Sequence, residues 1–91
     1  MSILNVEIIE YVNSSDLDED IKKFLRWAII NEIKNPDSMR YKQNYENSAD
    51  AHYGLGIIYE KKGDLVKARA EWRKTLKIDS NYEDAIKKVY R

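Results

Sequence analysis

Residues 49–82, ADAHYGLGIIYEKKGDLVKARAEWRKTLKIDSNY, decide the fold. Ala49, Ala51, Leu55, Ile58 and Tyr59 fall on one stripe of a 3.6-residue helix, and Lys61 and Lys62 occupy the last turn, where positive charge suits the helix dipole. The spacing predicts a first helix over about 49–62. Gly63 follows directly, as a left-handed helix terminus requires, and Asp64 offers a carboxylate to the free N–H groups of the next helix. Lys62-Gly63-Asp64 is thus a tight turn between two antiparallel helices. In the second helix the inward stripe is expected to be Leu65, Ala68, Trp72, Leu76 and Ile78. Gly56 and Ala68 are placed where the two helices approach most closely, because close approach needs missing side-chain volume.

The positions Leu55, Gly56, Tyr59, Ala68 and Trp72 carry a second message. They meet the spacing L-G-x2-Y, then A-x3-aromatic, and so residues 49–82 resemble the tetratricopeptide repeat, with Trp72 in the large-aromatic slot. Two slots depart from that pattern: His52 stands where the family usually has Trp, and Ser80 where it usually has a helix-ending Pro. Neither breaks the geometry, since His is a flat ring and Asp79-Ser80-Asn81 already stops one helix and starts another. The resemblance implies a helix–turn–helix scaffold that docks onto other proteins and does no chemistry itself. It also implies a concave surface built from first-helix positions, here Asp50, Tyr53, Ile57, Glu60 and Lys61. Family members that grip a C-terminal carboxylate use Lys and Asn in these places, so that mode is not expected. Tyr53 and Ile57 instead make an apolar concave stripe, to be filled either by the N-terminal helices or by an amphipathic partner helix.

Residues 83–91, introduced by Tyr82, look like the capping helix that often closes such repeats, with Tyr82, Ala85, Ile86, Val89 and Tyr90 at spacings of three and four. Upstream, residues 3–12 favour a short helix through Ile3, Leu4, Ile8, Tyr11 and Val12, with Glu7 and Glu10 on another face, although the β-branched content also permits a strand. Asn13-Ser14-Ser15-Asp16 is a capping cluster, and Asp16 with Glu19 or Ser15 with Asp18 has capping-box spacing. A second helix is expected from about 17 to Ile33, with Leu17, Ile21, Phe24, Leu25, Ala28, Ile29 and Ile33 on its wide apolar face. Trp27 and Ile30 spill onto its flank. Asn35-Pro36-Asp37 ends it. Residues 37–48, polar with Tyr41 and Tyr45 four apart, are a short helix or an ordered loop.

The expected architecture is therefore all-α, about five helices, with an N-terminal helical pair (1–36), a connecting segment (37–48), the repeat (49–82) and its cap (83–91) in one domain. A chain of this size buries a modest share of its surface, and solenoid units usually need about three neighbours, so the missing ones are expected from the N-terminal half, a second copy or another protein.

Chemistry-bearing patterns are sparse. Asp16, Asp18 and Asp20 alternate like a calcium loop, but Ile21 and Trp27 stand where that loop needs Gly and Glu. His52 is the one histidine, without a triad or second metal ligand around it, and is read as a packing residue. There is no cysteine, hence no disulfide or thiolate chemistry. No catalytic, metal or cofactor site is expected, and the chain is read as a non-enzyme. The N-terminus lacks a basic segment and carries Glu7 and Glu10, so neither a signal peptide nor a membrane span is expected, and the cytoplasm is the default.

Net charge is zero, but residues 1–20 hold six acids and no Lys or Arg, whereas 21–91 hold sixteen bases against ten acids. This polarity invites folding back, pairing between copies, or an oppositely charged partner. The leading expectation is a small adaptor or accessory subunit that binds another protein, a peptide or amphipathic helix, through Tyr53, Ile57, Glu60 and Lys61 on the concave stripe and Trp27 and Ile30 on the second helix. A self-associating homodimer is the first alternative. Nucleic-acid binding through the basic C-terminal helices is the second; its Lys residues have ordinary solvent-facing spacing and its Trp72 is claimed by the core.

Overall fold

A computed structural model describes residues 3–30 and 47–90. All the regular structure among them is helical: α1 (Ile3–Ser14), α2 (Glu19–Ile30), α3 (Ala49–Lys61), α4 (Leu65–Ile78) and α5 (Glu83–Val89). The expected end of the second helix at Ile33 and nearly all of the 37–48 segment lie outside the described residues.

The α3–α4 hairpin is built by local chemistry. Ser48 caps α3 by accepting a hydrogen bond from the Ala51 N–H at 3.2 Å. At the other end Gly63 has φ 86°. Its N–H donates to the Glu60 carbonyl (3.0 Å) and the Asp64 N–H to the Tyr59 carbonyl (2.9 Å), the paired bonds of a Schellman terminus. Asp64 then caps α4, accepting from the Lys67 N–H at 3.1 Å. One residue in a left-handed conformation followed by one short acid reverses the chain.

α2 presents Ile21, Phe24, Leu25, Ala28 and Ile29 inward, the i, i+3, i+4, i+7, i+8 pattern of an amphipathic helix, and carries Glu19 and Asp20 in its first turn. It begins at Glu19 rather than about 17, because Ser15 turns the chain first: its N–H and its hydroxyl both donate to the Val12 carbonyl, at 3.1 and 2.6 Å. Arg26 ties the α1–α2 turn, donating to Asn13 Oδ1 at 2.7 Å and to Glu19 at 2.9 Å. The Arg26 guanidinium holds the Glu19 carboxyl below its usual range.

Two apolar clusters form. Ile8 and Val12 of α1, the inward face of α2, and Ala51, Leu55 and Ile58 of α3 make the first. Ile57 and Tyr59 of α3 with Ala68, Trp72 and Ala85 make the second. α3 belongs to both, and residues 54–59 are all buried. Its two internal glycines allow this: a Cβ on Gly54 would lie 2.4 Å from Leu25 Cδ1, and one on Gly56 would lie 2.2 Å from Trp72 Nε1. Gly56 is thus a point of close approach, as expected, but the side chain against it is Trp72, where the sequence suggested Ala68.

Several expected inward positions are corrected. In α1 the buried row is Asn5, Ile8 and Val12, while Ile3, Leu4 and Tyr11 are exposed. In α4 the row facing the interior is Ala68, Glu71, Trp72 and Thr75; Leu65 and Ile78, at the helix ends, are largely open, and Leu76 is half-buried. Glu71 tolerates burial because His52 Nδ1 lies 2.9 Å from its Oε2 and Lys74 Nζ 3.4 Å from its Oε1. The Thr75 hydroxyl is satisfied by donating to the Glu71 carbonyl at 3.0 Å. His52, read from sequence as a plain packing ring, is therefore a polar partner as well. In α5 only Ala85 is fully buried, and Tyr90 is open.

Candidate binding groove

One face of α3 carries Asp50, Tyr53, Gly54 and Ile57 at helical spacing, the first two half-buried and the last two buried. The start of α5, which brings Tyr82 and Asp84, closes one side; the end of α1 and the α1–α2 turn, with Tyr11 and residues 14–18, close the other. Between these three elements lies a groove of about 400 Å³. The N-terminal pair narrows the concave stripe without filling it.

Hydrogen bonds and ring contacts fix the floor. The Tyr82 hydroxyl donates to Asp50 Oδ1 at 2.5 Å, joining the start of α5 to the start of α3. The Tyr53 and Tyr82 rings sit 5.2 Å apart, tilted by 37°. Beneath them Trp72 Nε1 donates to the Tyr53 carbonyl at 3.3 Å, which holds the backbone of the floor against the second core cluster. Burial, reinforced by the charge of Asp84, pushes the Tyr53 hydroxyl up to about 12. Burial and then the hydrogen bond to Asp50 push the Tyr82 hydroxyl up further still. Both phenols stay neutral and both rings keep their electron-rich faces.

Of the residues singled out in the sequence, Tyr53 and Ile57 meet in this groove. Tyr53 is half-buried on the floor. Ile57 is only 4% exposed, so it supports the floor from below rather than standing open. Glu60 and Lys61, one turn on, are engaged within the chain: Lys88 Nζ lies 3.0 Å from each Glu60 carboxylate oxygen, and Lys61 Nζ sits 4.6 Å from the centroid of the Tyr11 ring. Trp27 and Ile30 do not join the groove. Trp27 packs partly buried against the first core cluster, and Ile30 is exposed at 55%.

Tyr11, Asp16, Asp18, Tyr82 and Asp84 line the groove without having been singled out as contacts. Their signal in the sequence was the acidic polarity of residues 1–20 and the aromatic opening of the cap. Of the basic C-terminal residues, Lys67, Lys74 and Lys88 are held by Asp64, Glu71 and Glu60, which reduces the positive face offered to a polyanion. Among the described residues no group of three or more His, Cys, Asp or Glu is placed to share a metal ion, and no helix is long and apolar enough to cross a membrane.

The family model for the tetratricopeptide repeat matches residues 49–82, the stretch that contains α3, α4 and the turn before α5. This segment is similar to a tetratricopeptide repeat. Searches of curated proteins and of solved structures gave no significant match. Tetratricopeptide repeats are protein-interaction units, and the groove lies along the first helix of this one. The cap, α5, packs on the second helix of the repeat, and α2 and α1 pack on its first, so the repeat is flanked on both sides by helices of the same chain.

Proposed function

We propose that the chain is a non-catalytic interaction module, a small adaptor or accessory subunit that receives a segment of another protein in the groove between the α1–α2 turn, α3 and α5. The observation that carries this reading is the groove itself: an aromatic floor of Tyr53 and Tyr82, held rigid by Asp50 and Trp72, on the face of the repeat through which such units bind. A rigid, half-apolar concavity binds at low entropic cost. Tyr53 is its central contact, with Ile57 as support; Trp27 and Ile30 form a separate, secondary patch on α2. A cytoplasmic setting is part of the proposal, and fractionation of source cells checks it.

Affinity purification from the native source, comparing wild type with Tyr53→Asp and Ile30→Glu, tests the assignment. A partner kept by Ile30→Glu and lost by Tyr53→Asp is the expected result. A partner retained by Tyr53→Asp, with the variant shown to be folded, overturns it.

Self-association is the second reading, favoured by the outer face of α1, where Ile3, Leu4 and Val6 are all exposed. Sedimentation of wild type against Ile3→Glu separates the two: a dimer that this change disperses supports it.

A further inference from the structure

The groove has a polarity that the repeat pattern does not dictate. Its lining holds Asp16, Asp18, Asp50 and Asp84 and no lysine or arginine. Asp50 is occupied by the Tyr82 hydroxyl. The carboxylates of Asp16, Asp18 and Asp84 form no ion pair among the described residues. Below this rim lie the Tyr53 and Tyr82 rings, with Val12, Gly54 and Ile57 completing an apolar floor. A carboxylate rim attracts a cation, an aromatic face accepts it, and an apolar floor covers the methylene stem that carries it. Among the described residues the chain already places lysines over aromatic rings: Lys61 at 4.6 Å from the Tyr11 ring centroid, Lys67 at 5.7 Å from Tyr59 and Lys88 at 5.3 Å from Trp72.

From this complementarity we propose that the groove takes an arginine or lysine side chain from a basic segment of a partner protein, its charge between Asp16, Asp18 and Asp84 and its stem on Tyr53 and Tyr82. This rests on the reading of the groove as a protein-binding surface and adds the chemistry of what enters it.

The test is an NMR titration of the full chain with an acetylated, amidated alanine–leucine peptide carrying two arginines four residues apart, beside the same peptide with glutamines in their place. The arginine peptide is expected to shift amides in residues 11–18, 50–57 and 82–84, to bind more weakly as ionic strength rises past about 0.15 M, and to bind more tightly than the glutamine peptide. The triple variant Asp16→Asn, Asp18→Asn, Asp84→Asn keeps short capping oxygens and is expected to lose about tenfold in affinity, since each exposed ion pair contributes up to about fivefold. Equal binding of the two peptides at these residues overturns the cationic preference while leaving the protein-binding reading in place. Absence of shifts in the groove, or an unaffected triple variant, also overturns it. So does sedimentation showing that a second copy of the chain already covers these residues. The affinity-purification comparison at Tyr53 judges the underlying reading separately.

Discussion

Replacing Gly56 with alanine sets two physical effects against each other. Alanine is the better helix former, by about 1 kcal/mol over glycine in a helix interior, so a helix considered alone gains. The added Cβ, however, would stand 2.2 Å from Trp72 Nε1, 2.6 Å from Cδ1 and 2.8 Å from Cε2. These are atoms of a rigid ring that is 2% exposed, so the ring must move as a body into a filled core. Overpacking of this kind costs about 1–3 kcal/mol, and with three close overlaps the upper end applies. Moving the ring also breaks its hydrogen bond to the Tyr53 carbonyl, worth about 1 kcal/mol. The net loss is about 3 kcal/mol, which lowers the midpoint of thermal unfolding by about 15 °C in a domain of this size. Far-UV circular dichroism follows the unfolding, and emission in a Trp27→Phe background reports Trp72 alone. Gly56→Ala combined with Trp72→Phe, a smaller ring without the indole nitrogen, should recover part of the loss relative to Trp72→Phe alone. A midpoint that rises, or stays within about 3 °C of wild type, refutes the packing argument and leaves helix propensity as the dominant effect.

Gly54→Ala is expected to cost less than Gly56→Ala, because the atoms it meets are the branched tip of Leu25, which can change rotamer; the same melts compare them. Gly63→Ala meets nothing within 4 Å, and its loss of about 1–2 kcal/mol comes from the left-handed backbone alone, so Gly63→Asn should lose less in denaturant titration. Ser48→Ala removes the cap of α3 and should cost about 1 kcal/mol by the same titration. Stability should also fall at high pH through the groove tyrosines. The folded chain holds Tyr53 protonated to about 12, whereas the unfolded chain ionises near the ordinary 10.0, so this contribution is complete below pH 10 and declines as pH rises toward 12. Subtracting the pH–stability curve of Tyr53→Phe, Tyr82→Phe from that of wild type should isolate the decline, and parallel curves over that range contradict it.

What was legible in the sequence is what is determined within a few residues of itself. Gly63 and Asp64 follow from turn geometry and capping and stand as expected, and side-chain volume marked Gly56 as a point of close approach, although the neighbour pressed against it is Trp72 where Ala68 was expected. The face that a helix turns inward is less legible when apolar residues surround it. In α1 the row through Ile8 and Val12 was readable, but choosing Asn5 over Ile3 or Leu4 as its third member depends on α2 and α3. In α4 a search for apolar residues selects Leu65 and Ile78, whereas the helix ends leave those open and the middle buries Glu71 and Thr75. That choice requires His52, nineteen residues earlier, to satisfy the carboxylate. The groove was half visible. Tyr53 and Ile57 follow from the repeat pattern, but the walls come from the turn before α2 and the start of α5, and no local rule brings Asp16, Asp18 and Asp84 to one rim.

The double membership of α3 has a mechanical consequence. Because Ala51, Leu55 and Ile58 anchor one cluster while Ile57 and Tyr59 anchor the other, this single rod is the party wall of both rooms, and neither room can be dismantled while the other stands. Its amides from 54 to 59 should therefore exchange with deuterium only when the whole molecule opens, and a chain severed between α2 and α3 should yield two fragments that acquire order only on recombining.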